Sequence, residues 1–149
     1  MKYFFVLFTA TLCMTEINAQ SAEDSVKTVV NKMFDAMRNA DPLALKNTFS
    51  DNIVFHTIAE KDGKVTVRSE EPKEFIDFIS KEKKGAADEQ IRFETIKIDG
   101  PLALVWTPYK FYYNGKFSHC GVDSFQLVRI NGEWKIQYII DTRRKQGCE

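Results

Sequence analysis

The chain has 149 residues, 28% charged and 44% hydrophobic, with 21 Lys and Arg against 21 Asp and Glu. That composition describes one globular domain and excludes a disordered tail. Even charge without a basic run leaves no footprint for nucleic acid or for an anionic membrane surface.

Residues 1–19 read as an address. Lys2 gives a positive start, Tyr3 to Met14 is apolar or small, and Ile17-Asn18-Ala19 ends in a residue suited to signal peptidase. The apolar stretch is shorter than the roughly 20 residues of a membrane-spanning helix, so cleavage after Ala19 is expected rather than a retained anchor. Cys13 raises a lipoprotein alternative, against which Leu12 stands where a small residue is normal. The expectation is a secreted or periplasmic protein, free of the membrane after cleavage, with one domain over 20–149. In an oxidising compartment Cys120 and Cys148 form a candidate disulfide tying the C-terminal tail to a strand, worth on the order of 3 kcal/mol by loop closure. Two unpaired thiols are the alternative. With only His56 and His119 and no metal-type cysteine spacing, no metal or cofactor is expected.

From Glu23 to Asn39, Val26, Val29, Val30, Met33, Phe34 and Met37 recur at helical spacing, and Asp41-Pro42 stops the pattern. Pro42 to Phe49 reads as a short second helix capped by Asp41, with Pro42 at its first position. Ile53–Ile58 and Val65–Arg68 read as a hairpin about Asp62-Gly63. Ser69 is placed to cap a third helix from Glu70 to about Lys83, with stripe residues Phe75, Phe78 and Ile79. Four strands complete the chain, Gln90–Ile98, Leu102–Tyr113, Lys116–Ile130 and Glu133–Thr142, the last three joined by Asn114-Gly115 and Asn131-Gly132. Helices followed by an antiparallel meander define an α+β domain with its helices on one face of a curved sheet.

Two-residue turns at both Asn-Gly sites pair Trp106 with Asp123, Lys110 with His119 and Tyr112 with Phe117. They also pair Asp123 with Ile140, Phe125 with Tyr138 and Arg129 with Trp134. All these residues share one face, largely apolar and therefore the face the helices cover. A carboxylate there is costly unless paired, bonded or wet, so Asp123 suggests a cavity. A bulge near Pro108 or Gly121 would exchange Tyr109 for Lys110 in that cavity.

The order helix, helix, hairpin, helix, meander resembles the nuclear transport factor 2-like superfamily. So does the ending Asn131-Gly132-Glu133-Trp134-Lys135-Ile136. The stretch His119 to Leu127 together with Asp141-Thr142-Arg143-Arg144 is similar to its secreted bacterial SnoaL-like and lumazine-binding-type members. The resemblance implies a cone-shaped barrel of curved antiparallel sheet, three helices from the N-terminal half packed on its concave face, and frequent dimerisation through the outer face. It implies no single activity, since its relatives include ketosteroid isomerases, scytalone dehydratases, polyketide cyclases and non-catalytic binding domains.

Two functional readings follow. The first is an exported domain binding a small apolar or aromatic molecule, with Trp106, Tyr109, Phe125 and Tyr138 against the ligand. The second is a cofactor-free isomerase, dehydratase or cyclase in which Asp123 is the general base and His119 or His56 orients or donates a proton. Each of these residues also has a plain alternative as core, rim or hydrogen-bonded structure, and Arg143 and Arg144 read as a solvated strand end or a gate for an anion.

Overall fold

A computed structural model describes the backbone of residues 14–148 and the side chains from Ala22 onward. Residues 1–13, most of the expected leader, lie outside the described residues. Three helices, α1 (Met14–Arg38), α2 (Pro42–Asn47) and α3 (Pro72–Lys81), all precede the last five strands. The strands are β1 (Phe49–Lys61), β2 (Lys64–Glu70), β3 (Ala87–Ile91), β4 (Thr95–Asp99), β5 (Leu102–Tyr113), β6 (Lys116–Ile130) and β7 (Glu133–Arg143).

The α1 stripe is buried as its spacing requires, with Val26, Val30, Met33, Phe34 and Met37 all in the core. Asp41 caps α2, its Oδ1 accepting from the amides of Leu43 and Ala44 at 3.1 and 2.9 Å. Ser69 does not cap α3: the cap position is Glu71, without a side-chain bond, and Pro72 begins the helix. Ser69 instead stays in β2, and its hydroxyl lies against His56. The expected strand 90–98 is two strands, β3 and β4, both pairing with β5.

The sheet is curved and unclosed, in the order β2-β1-β7-β6-β5-β3. All its pairs are antiparallel except β1 with β7. Its concave face packs on the helices through Val105, Phe125, Leu127 and Ile136, each fully buried, with Phe34 of α1 edge-on to Phe125 at 6.0 Å.

Both Asn-Gly turns form, with positive φ at both residues of each. Register holds next to them: Tyr112 opposes Phe117, and Leu127 opposes Ile136. Beyond, each hairpin has a bulge. Phe111 opposes His119, leaving Ser118 extra, and Gln126 opposes Tyr138, leaving Gln137 extra. The pairings expected for Trp106, Lys110, Ile140 and Tyr138 are therefore replaced. Trp106 faces Ser124 and Asp123 faces Thr107 on one side and Asp141 on the other. One inserted residue exchanges the faces of everything beyond it.

Candidate functional site

Between α1, α3 and the concave face lies a cavity of about 490 Å³. Its walls are apolar: Met33, Phe34 and Met37 from α1, Phe75 and Phe78 from α3, and Phe55, Phe111, Phe125 and Ile139 from the sheet. Phe78 and the acidic residues Glu71 and Glu74 are exposed, so the mouth opens beside α3. The opposite end is polar. There β3 supplies Glu89, β5 Tyr109, β6 Asp123 and His119, β7 Asp141 and Arg143, and β1 Thr57.

Alternation places these groups. Ala87, Glu89 and Ile91 share the inner face of β3, and Glu89 opposes Phe111, which opposes His119. Asp141 points inward because the extra residue at Gln137 moves it into the place that unbroken register would give Ile140. Asp141 is satisfied by Thr57 Oγ1 at 2.6 Å, the Arg143 Nε at 2.8 Å and the Tyr109 hydroxyl at 3.2 Å. Arg143 also reaches Glu70, Nη2 to Oε1 at 3.3 Å. Its guanidinium is held further into the charged form: burial opposes the charge, and the bond to Asp141 and the nearby carboxylates outweigh burial.

Asp123 is 5% exposed and accepts only from the Thr107 hydroxyl, at 3.3 Å to Oδ2. The carboxyl of Glu89 lies against it, and hydrogen bonding between the two raises Asp123 and lowers Glu89, which favours the proton on Asp123. Burial, then the Glu89 and Asp141 charges, hold Asp123 well above the usual carboxylate range. Burial first and the Asp141 charge second push Glu89 up to about 8. Glu89 lines the cavity and so keeps some exposed surface, but its carboxyl sits at the deep end, where bulk water screens it poorly. Tyr109 is buried beside the same charges, which raises its phenol, and its hydroxyl also reaches the Thr142 carbonyl at 3.0 Å. His119 is lowered by burial and then by Arg143. Its ring packs on Tyr109 and Phe111 with centroids 5.7 and 5.1 Å away.

A proton shared by Glu89 and Asp123 ties stability to pH. An acid whose folded pKa is raised binds more protons folded than unfolded between the two values, so stability falls as pH rises from about 4.5 towards 8. Glu89→Gln replaces a repelled carboxylate with a neutral amide whose oxygen still accepts from Asp123. It should therefore stabilise the protein by on the order of 2 kcal/mol at pH 8 and by little at pH 5. Thermal melts of both proteins at the two pH values check this, and the difference between them cancels the other titrating groups, His119 included. A variant less stable than wild type at pH 8 would contradict it.

The expected site residues separate. Asp123, His119, Tyr109 and Phe125 meet at the cavity. Trp106 and Tyr138 do not join them: Trp106 is 42% exposed on the outer face, and Tyr138 moved outward with the bulge at Gln137. His56 borders the cavity, but its ring is bonded to neither His119 nor Asp123: its Nδ1 lies 2.9 Å from the Tyr138 hydroxyl and its Nε2 3.1 Å from Ser69 Oγ. Glu89, Asp141, Thr57 and the inward role of Arg143 escaped the sequence reading. Among the described residues, no group of His, Cys, Asp or Glu is arranged to hold a metal ion. Cys120 and Cys148 are joined in a disulfide, and no described helix is long and apolar enough to cross a membrane.

Helices laid over a curved, unclosed sheet with a pocket between them define the nuclear transport factor 2-like class. A family model described as "Putative lumazine-binding" matches residues 21–138, and the chain belongs to that family. Similar solved structures include a nuclear transport factor 2-like protein of unknown function from Shewanella baltica OS155. It is 16% identical, with a TM-score of 0.65 over 85% of this chain and 97% of that one. A conserved protein from Planctomyces limnophilus is 20% identical, with a TM-score of 0.64 over 84% and 98%. A function-unknown protein from Mycobacterium tuberculosis is 12% identical, with a TM-score of 0.64 over 91% and 79%. At these identities the likeness shows the fold. No curated protein matches the chain.

Proposed function

We propose that the chain binds one small, flat, largely apolar molecule in the cavity, its body between the aromatic walls and its polar edge on Glu89, Asp123 and Tyr109. The observation that carries this reading is a space of about 490 Å³, within the usual range of ligand pockets, that is apolar along its walls and polar at one end. The family's description names lumazine, a flat bicyclic heterocycle with ring N–H and carbonyl groups, and a pair of carboxyls with raised proton affinity offers both a donor and acceptors to such an edge. Phe125 and Tyr109 keep the ligand-contacting roles expected of them.

The same reading places the protein outside the cytoplasm, supported by the leader-like start and the disulfide. It also pairs two copies through the outer sheet face, where Val54, Val67 and Trp106 are exposed.

Native mass spectrometry of protein purified from its own host tests the binding claim. The expected result is an adduct of a few hundred daltons that disappears in Ile139→Trp, which fills the cavity from β7. Equal occupancy in a folded Ile139→Trp protein would place the ligand elsewhere and overturn the claim.

A second reading, a cofactor-free isomerase, dehydratase or cyclase, is favoured by one observation: two carboxyls sharing a proton in an apolar site supply an acid and a base near neutral pH. Asp123 acts in that reading as one half of a pair with Glu89, with His119 as a neighbour able to orient a substrate. Asp123→Asn should then abolish turnover while binding persists, and unchanged turnover would exclude it.

A further inference from the structure

We infer that the cavity is built for a ligand whose polar end is a protonated nitrogen, an amine or amidine on a flat apolar body, with Glu89 and Asp123 as its counter-charge. The inference rests on the reading that the cavity binds a small molecule, and it specifies that molecule's chemistry.

The first support is charge. Glu70, Glu71, Glu74, Glu89, Asp123 and Asp141 all line the cavity, and the one Lys or Arg among its lining residues is Arg143, in a chain whose charges are even overall. Low-dielectric walls focus such a one-signed field at the mouth and draw cations in. Arg143 offsets it only in part: its Nε and Nη2 are bonded to Asp141 and Glu70, and its charge lowers Glu89 less than burial and Asp141 raise it. Among the described ion pairs none involves Glu89 or Asp123.

The second support is independent of the count. Asp123 is 95% buried and faces the cavity, yet the protein gives it a single neutral donor, Thr107, on Oδ2. Its other neighbour is the carboxyl of Glu89, itself an acid. A buried carboxyl is normally furnished with donors or a cation. Among the described ion pairs no cation reaches this acid pair, and one can come only from the cavity. The aromatic rings of Phe55, Phe75, Phe111 and Phe125 around the same space suit a cation as well as an apolar body. An anionic ligand would be repelled by every acid of the lining.

The groups facing the pair fix the proton balance. They are Tyr109 on β5, His119 on β6, Asp141 and Arg143 on β7 and Glu70 on β2, with Glu71 and Glu74 at the mouth from α3. Asp88, beside Glu89 on β3, is turned to Arg38 of α1 at 2.6 Å. An ammonium arriving between Glu89 and Asp123 brings its own N–H donors, so the proton the two carboxyls share leaves to solvent. Binding of one cation should release up to one proton, and affinity should rise with pH while the ligand stays protonated.

Calorimetry with naphthylmethylamine, naphthylmethanol and naphthoic acid, which share a ring system and differ in the polar end, tests this at neutral pH. The amine is expected to bind at least about ten-fold more tightly than the alcohol, and the acid not to bind. The amine's heat should depend on the buffer's ionisation enthalpy, reporting the released proton. Glu89→Gln should weaken the amine about ten-fold and leave the alcohol nearly unchanged, and Asp123→Asn should do the same. Alcohol or acid binding as tightly as the amine overturns the inference while leaving small-molecule binding standing. An amine preference that survives in both variants overturns it as well. If none of the three binds, small-molecule binding in the cavity fails together with it. Should a variant not fold, the wild-type ratio of amine to alcohol decides.

Discussion

Gly121→Ala is expected to destabilise the protein by about 3 kcal/mol or more and to lower its melting temperature by roughly 10 °C. A Cβ at Gly121 would stand 1.7 Å from the Thr142 carbonyl oxygen and 2.8 Å from Tyr109 Cε1. The first obstacle is backbone, so no rotamer change relieves it, and β6 and β7 would have to part. They are joined there by the Val122 amide donating to Thr142 Oγ1 at 3.1 Å and by paired backbone bonds between Cys120 and Arg144 at 2.9 Å. The Tyr109 hydroxyl bonded to the Thr142 carbonyl would shift with them, and with it a wall of the polar end. Urea and thermal unfolding measure the loss; a change within 1 kcal/mol would mean that the strands yield there at little cost.

The second large effect concerns the tail. Cys120 and Cys148 close a loop with a sequence separation of 28, and replacing both by alanine should cost about 3 kcal/mol through the freer unfolded chain. Residues 144–147 are exposed, and beyond Arg144 the main described tie is a bond within the tail, from Arg144 Nε to the Gly147 carbonyl at 3.4 Å. The disulfide therefore anchors the tail that follows β7, whose last residue, Arg143, lies two residues after Asp141. The double variant and the reduced wild type should melt together, both well below the oxidised protein. Coincidence of all three melts would show that the bridge constrains nothing the fold does not already hold.

Legibility along the chain follows the physics of each element. The α1 stripe and the Asp41-Pro42 cap were readable because periodicity and capping are local. The Asn-Gly turns were readable because both of their residues need positive φ. On β6, His119, Asp123, Phe125 and Leu127 were placed on the inner face and are there. Strand β5 was turned over entirely, so that Tyr109 and Phe111 face the cavity and Trp106 and Lys110 do not. The cause is one extra residue at Ser118, which no residue preference announces. Strand β7 was read correctly at Trp134 and Ile136 and wrongly after Gln137, where a second extra residue exchanges Tyr138 and Ile140 for Ile139 and Asp141. The family resemblance gave architecture but not register, and the site depends on register.

Glu89 was missed for a different reason. A strand begun at Gln90 leaves it outside, and a glutamate is by default assigned to solvent. The signal was the alternation Ala87, Glu89, Ile91, which puts a carboxylate between two apolar residues on one face. The same argument that singled out Asp123 applies to it.

The central claim is that this apolar cavity with a proton-sharing carboxyl end is where the protein binds its ligand. Met33 and Met37 line the cavity, so their methyl groups can report it directly in a carbon-labelled methionine spectrum. Titrating a panel of flat, singly charged or neutral aromatic compounds should move both signals saturably for at least one member. The same compound should leave the spectrum of Ile139→Trp unchanged. Saturable binding that moves neither methyl, or that persists in the filled variant, would contradict the account.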